Sequence, residues 1–288
     1  MSKILLISGS GDLPKAIYSS IEAKNNLANS KQKTELMIAE VKNNQGICLN
    51  EGFFKERATE YHQFAITDVK AFFELANRLK PDSIIIAGNV DKPDFKDLGL
   101  RDDSKSFGAK IAKKLLASRL FGDDLLLRTV IKKIEAGTGV KVVQVSKLLP
   151  HMLAGSGLNT CNQPNAMQKL SIAKGFKMLK KLSGLDVSQS MVIDDTKVLG
   201  IEAAEGTDAL IKRCPSYQTN TGTAILLKDA KVKQTLKADI PTIGIETARL
   251  IVQQNYAGIA IKKGRVIVLN QAEFKQIMEE GNKFIYVA

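Results

Sequence analysis

Glu202, Glu205 and Asp208 place three carboxylates beside Thr207 and Arg213 within twelve residues, at the end of a predicted strand over Val198–Ala203. Carboxylates at a strand end are hard oxygen ligands suited to Mg²⁺, which usually takes one or two of them together with substrate phosphate. Thr207 and Arg213 could hold phosphate oxygens, the guanidinium through its planar fork. The same residues could equally be a capped helix start with acids in its first turn. A second set comprises Lys228, Gln234 and the run Asp239-Ile240-Pro241-Thr242-Ile243-Gly244. The proline disfavours helix just before it, so Asp239 lies on an extended or turning segment, with a plain surface turn as the bland alternative.

A third candidate is the loop Gly9-Ser10-Gly11-Asp12-Leu13-Pro14. Gly9 and Gly11 permit a tight turn, and backbone N–H groups at a following helix could meet an anion. This is half of a dinucleotide fingerprint: the third glycine is missing, and Glu40, the candidate ribose acid, lies farther along than the usual spacing. A phosphate-facing loop, a structural turn and a nicotinamide site all remain open. His62 and His151 are isolated in sequence, and no nucleophile-elbow, P-loop, zincin or paired-cysteine motif is present.

The elements that must position these residues follow from hydrophobic patterning. KILLIS (Lys3–Ser8), Leu36–Val41, SIIIAG (Ser83–Gly88) and VKVVQV (Val140–Val145) read as strands. Helices are predicted over Pro14–Ala23, Asp68–Leu79, part of Ser104–Ala136 and Met167–Leu182. Strands alternating with helices imply βαβ units around a mostly parallel sheet. The last third adds strands at Met191–Ile193, Ala224–Lys228, Ile259–Ile261 and Val266–Leu269, with helices at Ile245–Asn255 and Gln271–Glu280. The expected fold is α/β: a Rossmann-like domain with a parallel sheet over 1–150, a Gly/Asn/Ser-rich linker over 151–165, and a distinct α/β domain over 166–288 carrying the acidic cluster.

The 288 residues suit two domains, and a mean hydropathy of −0.07 with 25% charged residues is ordinary globular composition. No apolar run reaches the ~20 residues of a membrane-spanning helix, and the start reads as strand and loop, not as a signal peptide. Three widely spaced cysteines suggest a reducing compartment, so a cytoplasmic protein is expected. Net charge is +12, and 101–181 holds 16 basic against 5 acidic residues. Such a field favours an anionic partner, whether nucleic acid, a nucleotide-like substrate or an anionic membrane, unless it is a solvated lysine surface. Few aromatics and no tryptophan argue against binding single strands by stacking. Lys110, Lys113 and Lys114, or the Lys174–Lys181 face, could hold the protein near anionic lipid.

Taken together, the motifs resemble a family, the LpxI-type UDP-2,3-diacylglucosamine pyrophosphatases of lipid A biosynthesis. The resemblance rests on GSGDLP (Gly9–Pro14), GDDLLLR (Gly122–Arg128) with Glu135 after it, and LDVSQ (Leu185–Gln189). It rests further on IEAAEGTDALIKR (Ile201–Arg213), the Lys228 segment, and QTLKADIPTIG (Gln234–Gly244). Three positions differ from the family pattern: Thr235 stands where Asp usually follows Gln, Ser188 replaces Gly, and Ser171 replaces an Asp. The resemblance implies Mg²⁺-dependent hydrolysis of UDP-2,3-diacylglucosamine to UMP and 2,3-diacylglucosamine 1-phosphate (lipid X). Substrate would lie between two domains, at the inner face of the inner membrane, with no nucleic-acid partner and a homodimer as one assembly. It implies Asp239, Glu202 and Asp208 as catalytic acids and Asp239 and Glu205 as metal ligands. Substrate contacts would come from Gly9, Gly11, Asp12, Asp124, Gln189, Thr207, Arg213, Lys228 and Gln234. An NAD-linked oxidoreductase resting on Gly9, Gly11 and Glu40, and a basic nucleic-acid or membrane-surface binding protein, are the competing readings.

Overall fold

The computed structural model describes residues 2–29, 33–91, 123–232 and 236–288, with side chains in 123–126 left aside. Lys110, Lys113, Lys114, Gln234 and Thr235 therefore lie outside the described residues, as does the side chain of Asp124. The chain divides into two compact units, Met1–Leu149 with Thr235–Asp239, and Pro150–Gln234 with Ile240–Ala288.

In the first unit, β1 (Ser2–Ser8), α1 (Asp12–Leu27), β2 (Thr34–Lys42), α2 (Glu51–Lys55) and β3 (Glu60–Ala65) come first. α3 (Val69–Leu79), β4 (Ser83–Ala87), α4 (Asp123–Thr138) and α5 (Val145–Leu148) follow among the described residues. The four strands form a parallel sheet in the order β3-β2-β1-β4. Ile4, Leu5, Leu6 and Ile7 are all buried because a parallel sheet is covered on both faces, which explains the unbroken apolar run. α3 and α4 pack Phe72, Ala76, Ile131 and Ile134 against Leu5, Ile7 and Met37. The Asp68 carboxylate accepts the Ala71 N–H at 3.0 Å and so caps α3.

Two expectations need correction here. VKVVQV is not a full strand: Val142 makes a single bridge to Ile84, and Val145 already starts α5. The half-buried edge strand β3 was not anticipated, because its polar residues Glu60, His62 and Gln63 conceal the pattern.

The second unit contains α6 (Ala166–Ser183), β5 (Ser190–Asp194), β6 (Lys197–Ile201), α7 (Gly206–Arg213) and β7 (Ile225–Lys228). β8 (Thr242–Ile243), α8 (Ile245–Gln253), β9 (Gly258–Ile261), β10 (Ile267–Val268), α9 (Gln271–Glu280) and β11 (Phe284–Val287) complete it. The main sheet runs β11-β9-β7-β5-β6, with β7, β9 and β11 parallel and β5 antiparallel to both of its neighbours. β8 and β10 pair separately. α6 covers one face through Ile172, Phe176 and Leu179. The other face is covered by Leu210 and Ile211 of α7, Leu250 and Ile251 of α8, and Phe274 and Met278 of α9.

The segment 151–165 is no loose linker. Ala154 N–H donates to Val266 O at 2.9 Å, and the side chains of Asn159 and Thr160 accept the N–H groups of Val287 and Ile285 at 2.8 Å each. Asn159 and Thr160 satisfy the β11 edge, Asn162 donates to Asn282 O at 3.0 Å and Asn165 caps α6, which is why a turn-rich composition here forms part of a packed unit.

Candidate active site

The acidic motif becomes a site through three elements of the second unit. Glu202 follows β6, and its N–H donates to Ser190 O at 3.1 Å, fixing it beside β5. The chain then turns into α7 through Gly206 at φ 81, a left-handed conformation that favours glycine. β7 delivers Lys228 as its last residue, 2% exposed. Lys228 Nζ donates to Thr207 Oγ1 at 2.7 Å and lies 3.4 Å from Glu202 Oε2, while the Thr207 hydroxyl donates to Glu202 Oε1 at 2.8 Å. Ammonium, hydroxyl and carboxylate thus close a buried triangle at the carboxyl end of β7 and the start of α7. The carboxyl ends of strands are where open α/β sheets bind ligands.

Glu205 and Arg213 form a separate clamp. Nε and Nη2 of Arg213 donate to Glu205 Oε1 at 3.1 and 2.8 Å, and Nη2 also donates to Ile201 O at 2.9 Å. Glu205 Oε2 accepts the Ala203 N–H at 3.1 Å. The guanidinium holds the Glu205 carboxyl below its ordinary pKa. Arg213, expected to meet phosphate, therefore directs these donors to the loop between β6 and α7. Asp208 is exposed in the first turn of α7, the position a helix-start acid takes.

These carboxylates do not fit an ion held by the protein alone. Glu202 is committed to Lys228 and Thr207, and Glu205 to Arg213. Among the described residues no three His, Cys, Asp or Glu side chains gather closely enough to ligate one.

The LDVSQ motif supports the triangle from β5. Gln189 O accepts the Asp229 N–H at 3.0 Å, and the Ser188 hydroxyl donates to Ser190 O at 2.7 Å. Ser190 pairs directly with Lys228, and its buried hydroxyl has no hydrogen-bond partner among the described residues. Ser171 is buried on α6 and accepts the Thr196 N–H at 3.1 Å, a structural tie to the β5–β6 turn.

In the first unit the loops after β1 and β4 are joined. Ser10 N–H donates to Asn89 O at 2.7 Å and Asn89 N–H to Ser10 O at 3.0 Å. A Cβ on Gly9 would collide with the Asn89 carbonyl, so glycine is needed there for close approach. Asp12 begins α1, exposed, with Lys15 2.6 Å away. Glu40, the candidate ribose acid, is wholly buried: it accepts the Asn50 N–H at 2.6 Å and the Tyr61 hydroxyl at 2.7 Å. Burial raises its pKa. Asn50 Nδ2 in turn donates to Gly9 O and Gly11 O at 3.0 and 3.2 Å. Glu40 braces the glycine loop from inside, a role that its sequence position alone did not reveal.

Asp239 closes the 235–239 segment, which by its contacts clusters with the first unit although it lies within the 166–288 stretch. Asp239 is exposed. Two residues earlier, Lys237 Nζ meets Glu135 Oε1 at 2.8 Å, and that oxygen also accepts the Val142 N–H at 3.0 Å. Lys237 is the leading cause of a depressed Glu135 pKa. A carboxylate with a lowered folded-state pKa contributes stability above its unfolded pKa and loses it as pH falls through the folded one. Glu135→Gln should therefore cost about 1 kcal/mol or less at neutral pH, the pair being part-exposed. The difference in melting temperature from the parent should vanish at acid pH; a gap that widens on acidification would refute the assignment.

A two-unit α/β protein with a buried lysine–carboxylate–hydroxyl set at a strand end belongs among proteins equipped for anionic, phosphate-bearing ligands. Comparison with known families makes this specific. Residues 3–152 match the LpxI N-terminal domain and residues 155–286 the LpxI C-terminal domain. The chain belongs to the LpxI family. It is 29% identical over 196 residues to the UDP-2,3-diacylglucosamine pyrophosphatase LpxI of Caulobacter vibrioides, covering 66% of this chain and 68% of that one.

Proposed function

We propose that the protein hydrolyses the pyrophosphate bond of UDP-2,3-diacylglucosamine, giving UMP and 2,3-diacylglucosamine 1-phosphate in lipid A biosynthesis. The carrying observation is the Lys228–Thr207–Glu202 triangle, in which β7 brings Lys228 to Glu202 and Thr207 of the EAAEGTD motif, in a chain matched at both ends by one family. In this reading water attacks one phosphorus, a new P–O bond forms, and the bridging P–O bond breaks with the electron pair leaving on the departing phosphate. Lys228 supplies positive charge to the diphosphate, held in place by Thr207 and Glu202. The family resemblance assigns the attacking water and its proton to the Asp239 carboxylate. The alternative nicotinamide reading is disfavoured because both oxygens of Glu40 are already engaged internally.

Mg²⁺ enters this reading as a companion of the substrate diphosphate, in keeping with its habit of retaining phosphate and water ligands. Contact with the cytoplasmic face of the inner membrane belongs to the same proposal, since the substrate carries two acyl chains. No helix among the described residues is long and apolar enough to cross a membrane. The test is incubation with UDP-2,3-diacylglucosamine and Mg²⁺, followed by detection of UMP. EDTA should abolish product, and Mg²⁺ in excess should restore it. Full activity in a chelated preparation would remove the metal from the proposal, and no UMP under any condition would overturn the function.

A further inference from the structure

The described helices of the second unit divide their charge unevenly between the two faces of its main sheet. On one face α7, α8 and α9 together carry five acids against four bases. On the other face α6 stands as the covering helix, with Lys169, Lys174, Lys177, Lys180 and Lys181 and no acid in 18 residues. All five lysines are exposed, and none forms an ion pair among the described residues. At 100° per residue, Leu170, Lys174, Lys177 and Lys181 fall within one narrow outer stripe, opposite the buried Ile172, Phe176 and Leu179. Leu170 is 62% exposed and Met167, at the edge of the stripe, 53%. Leu185 and Val187, just past the helix, are 74% and 49% exposed.

Helix stability accounts for only part of this. Lys177, Lys180 and Lys181 lie toward the negative end of the helix dipole, but Lys169 lies in the first turns, where a cation is unfavourable. Nor does any intrahelical ion pair use Lys174 or explain the exposed leucine and methionine. Cations interleaved with protruding apolar side chains match the chemistry of an anionic bilayer, with phosphates for the ammonium groups and an acyl boundary for the apolar tips. A nucleic acid would meet the charge but leave Met167 and Leu170 without a role.

We infer that the outer face of α6 is a docking surface for anionic lipid bilayers. This locates the membrane contact of the proposed function and rests on that reading for its purpose, but not for its binding. The experiment is sedimentation of the full chain with vesicles of phosphatidylglycerol in phosphatidylcholine, and with phosphatidylcholine alone. Binding should require the anionic lipid and weaken with salt. Lys174→Gln/Lys177→Gln/Lys181→Gln should lower the partition coefficient roughly a hundredfold, at about fivefold per lysine. Met167→Ser/Leu170→Ser should weaken binding in a way that salt does not reproduce. Both variants should retain parental hydrolysis of substrate presented in detergent micelles, and lose it on substrate in anionic vesicles. Equal binding to neutral vesicles, unchanged partition of the lysine variant, or heparin binding that matches vesicle binding and ignores the apolar substitutions would each overturn the docking surface. If parental protein binds vesicles but gives no UMP from micelles, the function fails while the docking surface stands.

Discussion

Replacing Asp239 with asparagine is expected to lower turnover by roughly 10²–10⁴-fold, the range for losing a group that moves a proton in the transition state, while the chain stays folded. Asparagine keeps the shape and removes only the charge. The surroundings of Asp239 explain why folding should survive. Ala238 packs against the first unit's core and Lys237 is tied to Glu135, so the residues just before Asp239 are anchored. Ile240 and Pro241 just after it are buried, and Pro241 O accepts the Ile267 N–H at 2.8 Å. An exposed carboxylate between two anchored neighbours is held in place by the chain on either side, and asparagine keeps its shape. Its loss should therefore appear in kcat with little change in KM or melting temperature, the pattern of an interaction made mainly in the transition state. Near-parental turnover of Asp239→Asn, with Glu202→Gln inactive, would withdraw Asp239 from the reaction and leave it to the Glu202–Thr207–Lys228 set.

The features that sequence exposes most readily are those fixed by local pattern. KILLIS and SIIIAG announce buried parallel strands because both faces are covered, whereas the apolar series Leu170, Ala173, Phe176 and Leu179 finds only part of the inner face of α6: Phe176 and Leu179 are buried, but Leu170 and Ala173 are exposed and Ile172 takes the inner place. The EAAEGTD motif was visible because its residues are close together in the chain. What stayed hidden depends on partners that are distant in sequence. The tie between Lys228 and Thr207 spans 21 positions and exists because β7 ends beside the start of α7. The pairing of Ser190 with Lys228 needs β5 to run antiparallel within an otherwise parallel neighbourhood. Arg213 looked like a phosphate ligand because spacing shows a guanidinium near carboxylates, but not which carboxylate it grips. The clustering of 235–239 with the first unit stays hidden for a related reason: five residues returning to the other unit leave no compositional mark. Glu40 shows a further limit, since a ribose acid and a buried brace share the same residue type and strand position.

The second large effect concerns the triangle itself, and a set of variants can separate support from chemistry. Lys228→Met should destabilise the protein by about 3–5 kcal/mol, because it leaves the buried Glu202 carboxylate without its cation. Inactivity of that variant alone would be uninformative, since misfolding would produce it too. Replacing both charges with apolar side chains of similar volume is often neutral or stabilising, because a buried ion pair recovers little more than its desolvation cost. Lys228→Met/Glu202→Leu should therefore regain most of the lost stability in denaturant melts. Activity should not return with it, since the double variant offers no positive charge to the diphosphate. Thr207→Val should lie between these extremes: it removes the hydroxyl that accepts from Lys228 and donates to Glu202, at about 1–3 kcal/mol, and frees the ammonium to shift. Its KM should rise more than its kcat falls if the hydroxyl serves to aim Lys228 at bound substrate. A stable double variant that hydrolyses substrate at the parental rate would reduce the triangle to a packing device and withdraw Lys228 from the reaction. A stable but inactive one would show that the buried pair is kept for its charge and not for the fold, which is the condition the proposed chemistry requires.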